Sequence, residues 1–338
     1  MKMKKAIAVI LAVVMVLSLG LTACGGSKSS SSDGNATSAP AESATSVQKI
    51  SMATGGTSGT YYGFSGVVAQ VLNGKLKGVM DIAVESTGAS KANIQLIDSG
   101  ADQLAIVQND VMYYAYTATD MFEGEKPITN FSAVISCYPE VVQIIANKNI
   151  TSIADLKGKN VSVGDAGSGT EFNAKQILRA YGIEFSDINV SNLSFADSAD
   201  SIKNGTIDAA FVVAGTPTTA VTELSTSYEF NLLEVDDEHV AALQKEYGFY
   251  AKVTVPGGTY SCVTEDKQAV AVMATIIASN SLSEDLVYQF VKALFDNKDE
   301  IAQGHTKGAE LDPATAVSGI SIPFHPGAEK YYKEIGAL

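Results

Sequence analysis

The sequence predicts an α/β protein of two similar lobes, each a mostly parallel sheet flanked by helices, with a cleft between them. Three observations carry this. A strand, a Gly/Ser/Thr turn and a helix open each half. The first set is Lys49 to Thr54, Gly55 to Thr60 and Tyr61 to Leu72; the second is Asn160 to Val163, Gly164 to Thr170 and Glu171 to Tyr181. A second pattern also recurs: Ile97, Gly100, Ala105, Ile106 and Val107 return as Ile202, Gly205, Ala210, Phe211 and Val212. Each copy reads as a helix stopped by a glycine, the residue that most easily takes the left-handed cap, and then a buried strand. Finally, 338 residues exceed one ordinary core. Strands alternating with helices imply parallel sheets covered on both faces.

The N-terminus is a processing segment rather than part of this fold. Lys2, Lys4 and Lys5 precede an apolar run from Ala6 to Leu21, 16 residues long. That is short of the ~20 residues that span a bilayer. A basic start, a short apolar run and small residues at its end describe a secretory signal. The run closes in Leu21-Thr22-Ala23-Cys24-Gly25, which resembles the lipobox of bacterial lipoproteins. The resemblance implies a signal peptide over 1–23, a lipid on Cys24 and an extracytoplasmic chain held at the outer face of the cell membrane. Residues 24–48 are rich in Ser, Gly and Ala with no large apolar side chain before Val47, so they read as a flexible tether.

The formal net charge of −14 excludes nucleic acid and anionic headgroups as partners, leaving membrane attachment to the lipid. Beyond Cys24 only Cys137 and Cys262 remain, too few for a disulfide scaffold; they pair with each other or stay as buried thiols.

Along the folded part, lobe 1 is expected over 49–145 with 262–338 returning to it, and lobe 2 over 146–261. Two apolar strands, Phe131 to Cys137 and Val141 to Ala146, are separated by Tyr138-Pro139-Glu140, read as a hinge or a cleft wall. An apolar stretch covers Ala269 to Ala278. A helix is expected from Ser283, a good N-cap followed by Glu284 and Asp285, to Asn297. Asp236-Asp237-Glu238 reads as a solvated turn, and a last helix falls near Gly327 to Ile335.

In open α/β sheets ligands sit beyond the carboxyl ends of the strands. Both Ser-Gly-Thr turns, Ser58-Gly59-Thr60 and Ser168-Gly169-Thr170, lie there and open helices. Helix N-termini offer unpaired N–H groups and a partial positive charge, and glycines admit close approach. Two such turns facing one cleft predict a small anionic solute as ligand. Gln108 and Asn109 end one buried strand, Ser86 and Thr87 end another, and Gly215-Thr216-Pro217 ends the counterpart in the second half. Arg179 is the single arginine and lies late in its helix, so an arginine–carboxylate clamp is not expected. Lys91 and the tyrosines 61, 62, 113, 114 and 116 are further cleft candidates.

No catalytic constellation accompanies these turns. His239, His305 and His325 lie outside them, Ser168 lacks a nucleophile elbow because Ala166 precedes it, and no zinc or calcium spacing is present. Neither a cofactor nor enzymatic turnover is expected.

The ordered set Thr54-Gly55-Gly56-Thr57-Ser58-Gly59-Thr60-Tyr61-Tyr62, Glu85-Ser86-Thr87-Gly88-Ala89-Ser90 with Asn93, Val107-Gln108-Asn109-Asp110, Tyr138-Pro139-Glu140 and Asp155 to Lys159 followed by Gly164 to Glu171 resembles the TAXI family of solute receptors for TRAP transporters. The resemblance implies a type II periplasmic-binding-protein fold, handover to a TRAP-type membrane permease, and a ligand such as glutamate, glutamine or a dicarboxylate. It carries the ligand-binding role to Thr57, Ser58, Thr60, Tyr61, Ser86, Thr87, Gln108, Asn109, Tyr138, Ser168, Gly169 and Thr170; Pro217 joins them as the second-half strand end. Ala89 departs from the family's usual Gly or Ser. The alternatives are a receptor for an ABC permease, a sensor presenting its ligand, and a secreted enzyme.

Overall fold

The computed structural model describes residues 47–338. The expected signal peptide, the lipid site Cys24 and nearly all of the tether lie outside the described residues. The strands are β1 (Gln48–Ala53), β2 (Met80–Glu85), β3 (Leu104–Gln108), β4 (Phe131–Ala146), β5 (Asn160–Ser162), β6 (Asn189–Ser191), β7 (Ala209–Ala214), β8 (Asn231–Leu233), β9 (Ala251–Val255) and β10 (Lys267–Ser279). The α-helices are α1 (Thr60–Lys75), α2 (Ser90–Ser99), α3 (Asn109–Thr117), α4 (Gly169–Ala180), α5 (Phe195–Lys203), α6 (Thr219–Ser225), α7 (Asp237–Tyr247), α8 (Glu284–Asp296), α9 (Lys298–Gly304) and α10 (Pro326–Glu334).

One hydrogen-bonded path runs β2-β1-β3-β10-β4-β7-β5-β6, with β8 on β4 and β9 on β10. Each end is parallel: β1 with β2 and β3, and β5 with β6 and β7. The middle is antiparallel, because β4 and β10 traverse both lobes in opposite directions.

Short apolar strands run through both lobes because helices cover both faces, so successive side chains enter different cores. In the first lobe Ile106 and Ile276 face Phe64, Leu72, Phe290 and Tyr332, whereas Val107 and Ile277 face Ile94, Val111 and Phe131. In the second lobe Phe211 and Val213 pack with Ile144, Val161 and Ile177, while Ala210 and Val212 pack with Ile145, Phe230 and Tyr260. Gly100 and Gly205 take positive φ, 78° and 72°, just after α2 and α5, as the repeat predicts.

Four expectations are corrected. Tyr138-Pro139-Glu140 does not divide two strands: β4 is continuous. Its register against β10 slips beside this triplet, with Tyr138 opposite Ala274 and Ser136 opposite Thr275, so Cys137 is bulged while Pro139 stays paired opposite Met273. The return to the first lobe comes later than residue 262, since Val263, Ala269, Val270, Ala271 and Val272 pack in second-lobe cores and Ala274 is the first β10 residue in the other. Asp236-Asp237-Glu238 is solvated as expected but opens a helix rather than a turn: Asp236 caps α7 by accepting from the His239 N–H at 3.1 Å. Lys91 lies away from the cleft, donating to the Met121 carbonyl and to Glu125. Cys137 and Cys262 are both free, one in each lobe's packing.

Helix α8 shows how local chemistry starts an element. Ser283 accepts from the Leu286 N–H at 3.2 Å, and acids in the first turn complement the dipole. Leu286, Val287, Phe290 and Leu294 then bury one face. Ser283→Ala should destabilise the fold by about 1 kcal/mol, read as a lower midpoint in urea at unchanged slope.

Candidate functional site

Both Ser-Gly-Thr turns face one cavity of about 40 Å³ between the lobes. Its volume is well under the roughly 300–1,000 Å³ of pockets for drug-sized ligands, so in this closed arrangement it suits a small metabolite. The first lobe supplies Gly55, Gly56, Ser58, Thr60, Tyr61, Ser90 and Gln108; the second supplies Asp165, Ser168, Gly169, Thr170, Phe195 and Val213; Glu140 comes from β4 where it crosses between them.

The two helix ends differ. Gly59 caps α1 without a side-chain bond, and the first turn of α1 holds no acid. The end of α4 is partly satisfied by its own residues: Ser168 Oγ accepts from the Glu171 N–H at 3.2 Å, and Glu171 accepts from the Gly167 N–H at 2.7 Å. The α1 terminus is therefore the less compensated positive end. It also bonds across the cleft, since Thr60 Oγ1 donates to the Gly215 carbonyl at 2.9 Å and the Ala220 N–H donates to the Ser58 carbonyl at 3.3 Å.

Of the residues expected at the site, Ser58, Thr60, Tyr61, Gln108, Ser168, Gly169 and Thr170 line the cavity. Thr57 and Pro217 are exposed beside it. Ser86 Oγ donates to the Gly55 carbonyl and Thr87 Oγ1 to the Thr54 carbonyl, both at 3.0 Å, so these hydroxyls hold the first turn from behind. Asn109 donates to the Gly319 carbonyl and accepts from the Met273 N–H, tying β10 to the C-terminal segment. Tyr138 is buried against Phe64, ring centroids 5.1 Å apart.

Glu140, from the triplet read as a hinge or cleft wall, lines the cavity, as do Ser90 and Asp165 from the quoted motifs; Phe195 is a lining residue the sequence reading did not single out. Glu140 had a signal: it is the one acid in the apolar run of β4. It is 2 % exposed and its Oε1 has no hydrogen-bond partner. Burial pushes its carboxyl well above the usual range, against the opposing pull of Lys307, the Gly215 amide and Tyr61. Burial and then Asp197 push Asp165 up as well. No histidine lines the cavity, and no cluster of three or more metal-ligating side chains occurs among the described residues.

Beside the cavity, α4 latches onto α3. Asn173 Nδ2 donates to Asp110 at 3.0 Å and to the Tyr250 hydroxyl at 2.9 Å; that hydroxyl donates to Gln176 Oε1, whose amide donates to Tyr114 and Asp120. Phe249 packs on Tyr113 and Tyr114 from the other side. Burial, more than any neighbouring charge, lifts the Asp110 carboxyl to about 6.

Two α/β lobes joined by crossing strands, with a cavity between them, are the fold of the type II periplasmic binding proteins. The model of the NMT1-like family matches residues 52–336, and the chain belongs to that family. Solved structures share the architecture. A Bordetella bronchiseptica RB50 protein aligns with a TM-score of 0.50 at 17% identity, over 86% of this chain and 89% of its own. A Streptococcus mutans structure, from glutathione import through GshT and the cystine ABC importer TcyBC, aligns with a TM-score of 0.50 at 13% identity, over 79% and 98%. The periplasmic aliphatic sulphonate binding protein of Escherichia coli aligns with a TM-score of 0.44 at 17% identity, over 85% and 84%.

Two tests follow. A Cβ at Gly169 would lie 1.8 Å from Gln108 Oε1, and its three nearest atoms all belong to that side chain in the other lobe. Gly169→Ala must displace the Gln108 amide from the cavity wall, and should lower ligand affinity roughly tenfold or more with the fold intact; calorimetry and the urea midpoint measure the two. For Asp110 the sign is set by its raised pKa: the folded chain holds the proton more firmly than the unfolded one. Its contribution is intact below the unfolded value of 3.8 and is lost as pH rises to about 6. Asp110→Asn should therefore gain on the wild type by up to about 3 kcal/mol across that window, read from unfolding midpoints.

Proposed function

We propose that the chain is a lipid-anchored extracytoplasmic receptor that closes on a small anionic metabolite and hands it to a TRAP-type permease. The anchor would be the lipid on Cys24. Glutamate, glutamine and dicarboxylates are the ligand classes the family resemblance implies. The observation that carries the reading is the meeting of α1 and α4, one from each lobe, at a single cavity. A ligand touching both helix ends favours the closed state by the contacts it loses when the lobes part. Thr57, Ser58, Thr60, Tyr61, Gln108, Ser168, Gly169, Thr170 and Pro217 are proposed to serve it directly or at the rim; Ser86, Thr87, Asn109 and Tyr138 would brace them. Binding is preferred to hydrolysis because Ser168 is a helix cap with no base beside it.

An ABC permease is the second reading for the partner, favoured by the Streptococcus mutans relative in fold, which belongs with an ABC importer. A neighbouring gene for a large TRAP-type permease, or for an ATPase with its permease, separates the two.

Mass spectrometry of small molecules released from the purified protein should identify an anionic metabolite. Adding it back at about 100 times its Kd should stabilise the fold by about 2.7 kcal/mol and compact it in solution scattering. Absence of both responses across glutamate, glutamine, C4-dicarboxylates and every released compound would remove the receptor reading.

A further inference from the structure

We propose that Glu140 is the specificity-determining residue of the cavity, taking the ammonium of a zwitterionic metabolite while the helix ends take its carboxylate. This deepens the receptor reading and rests on it.

A carboxylate in a protein interior is costly unless a cation or several donors answer it. Within the chain, Glu140 is answered only in part, by the Gly215 amide and the charge of Lys307. Its Oε1 is buried and unpartnered. The nearest cation is Lys307, whose Nζ donates to Glu310 at 2.6 Å and stands 5.6 Å from the centre of the Tyr138 ring; no ion pair joins it to Glu140 among the described residues. Gln108 Oε1, 2 % exposed by residue and lining the same cavity, also accepts nothing. The cavity thus presents acceptors from β3 and β4 and amide donors from α1 and α4. That polarity complements a molecule bearing both charges, such as an α-amino acid. A dicarboxylate brings no ammonium to Glu140, so it meets the neutral acid and gains nothing from a carboxylate there.

The placement also gives a proton linkage. The groups facing Glu140 are Tyr61 on α1, Lys307 and Glu310 in the turn 306–310, Cys137 and Tyr138 on its own strand, and the Gly215 amide after β7; Asp165 lines the same cavity. Lys307 and the Gly215 amide pull the other way, but burial prevails and favours the neutral acid. An arriving ammonium favours the carboxylate, so binding releases a proton and tightens as pH rises toward the raised pKa.

The test compares matched ligands on the unaltered protein by titration calorimetry: each of the common amino acids against its 2-deamino acid, for example L-glutamate against glutarate and L-aspartate against succinate. The tightest amino acid should exceed its deamino twin by roughly thirtyfold or more, the scale of removing one partner of a buried charge pair. Repeating the titration in two buffers of different ionisation heat should show proton release of up to one per ligand. Glu140→Gln should lower amino-acid affinity about tenfold or more and spare the twin; if that variant does not fold, the matched series still decides. A twin that binds as well as its amino acid overturns the ammonium role and leaves the receptor reading standing. A co-purifying ligand without an amine does the same. Failure of every compound in both series, with nothing co-purifying, overturns both.

Discussion

The antiparallel pairing of β4 with β10 is the constraint on which the rest of the molecule depends. These are the only two strands whose side chains enter the cores of both lobes among the described residues: Ile135 and Ile276 in the first, Ile144 and Val270 in the second. Each lobe is therefore a separate packed body on a shared two-strand spine. A bulged pair bends more readily than an ideal ladder, and the register slips where the lobes meet. Glu140 sits beside this slip, where the crossover and the wall of the cavity are the same piece of chain.

Closure is held by contacts of unequal kind. The bonds of Thr60 to Gly215 and of Ala220 to Ser58 join backbone to turn at the cavity, where glycines let the lobes approach. The latch of Asn173, Gln176, Tyr250, Tyr114 and Asp110 is built from side chains, and it buries a carboxyl that prefers to stay neutral. Buried carboxyls stand at both places, Glu140 and Asp110, so the contacts between the lobes depend on protons. The two helix ends are unequal too: α4 answers much of its own terminus through Ser168 and Glu171, whereas α1 does not.

Much of this was legible along the chain. The strand–turn–helix openings, the glycine stops after α2 and α5 and the Ser283 cap are local devices, written in a few consecutive residues. Their duplication made two lobes readable, and the Ser-Gly-Thr turns pointed to the cavity because strand ends and helix starts coincide there. Pro139 misled, because a proline ordinarily ends a central strand and its pairing opposite Met273 depends on β10, far away in sequence. Ser86, Thr87 and Asn109 sit at strand ends as expected, yet their hydrogen bonds go to backbone of segments the sequence does not place beside them.

What the amino-acid order alone determined is the set of local elements, the duplication and the presence of two amide-rich turns, because propensity, capping and periodicity act over a few residues. Only the tertiary structure decided which groups share the cavity and in what state. Glu140 Oε1 and Gln108 Oε1 become unpartnered acceptors through burial, which follows from chain segments brought together by the β4–β10 spine. Burial and charge separation are properties of that three-dimensional neighbourhood, so no reading of residue order could assign them.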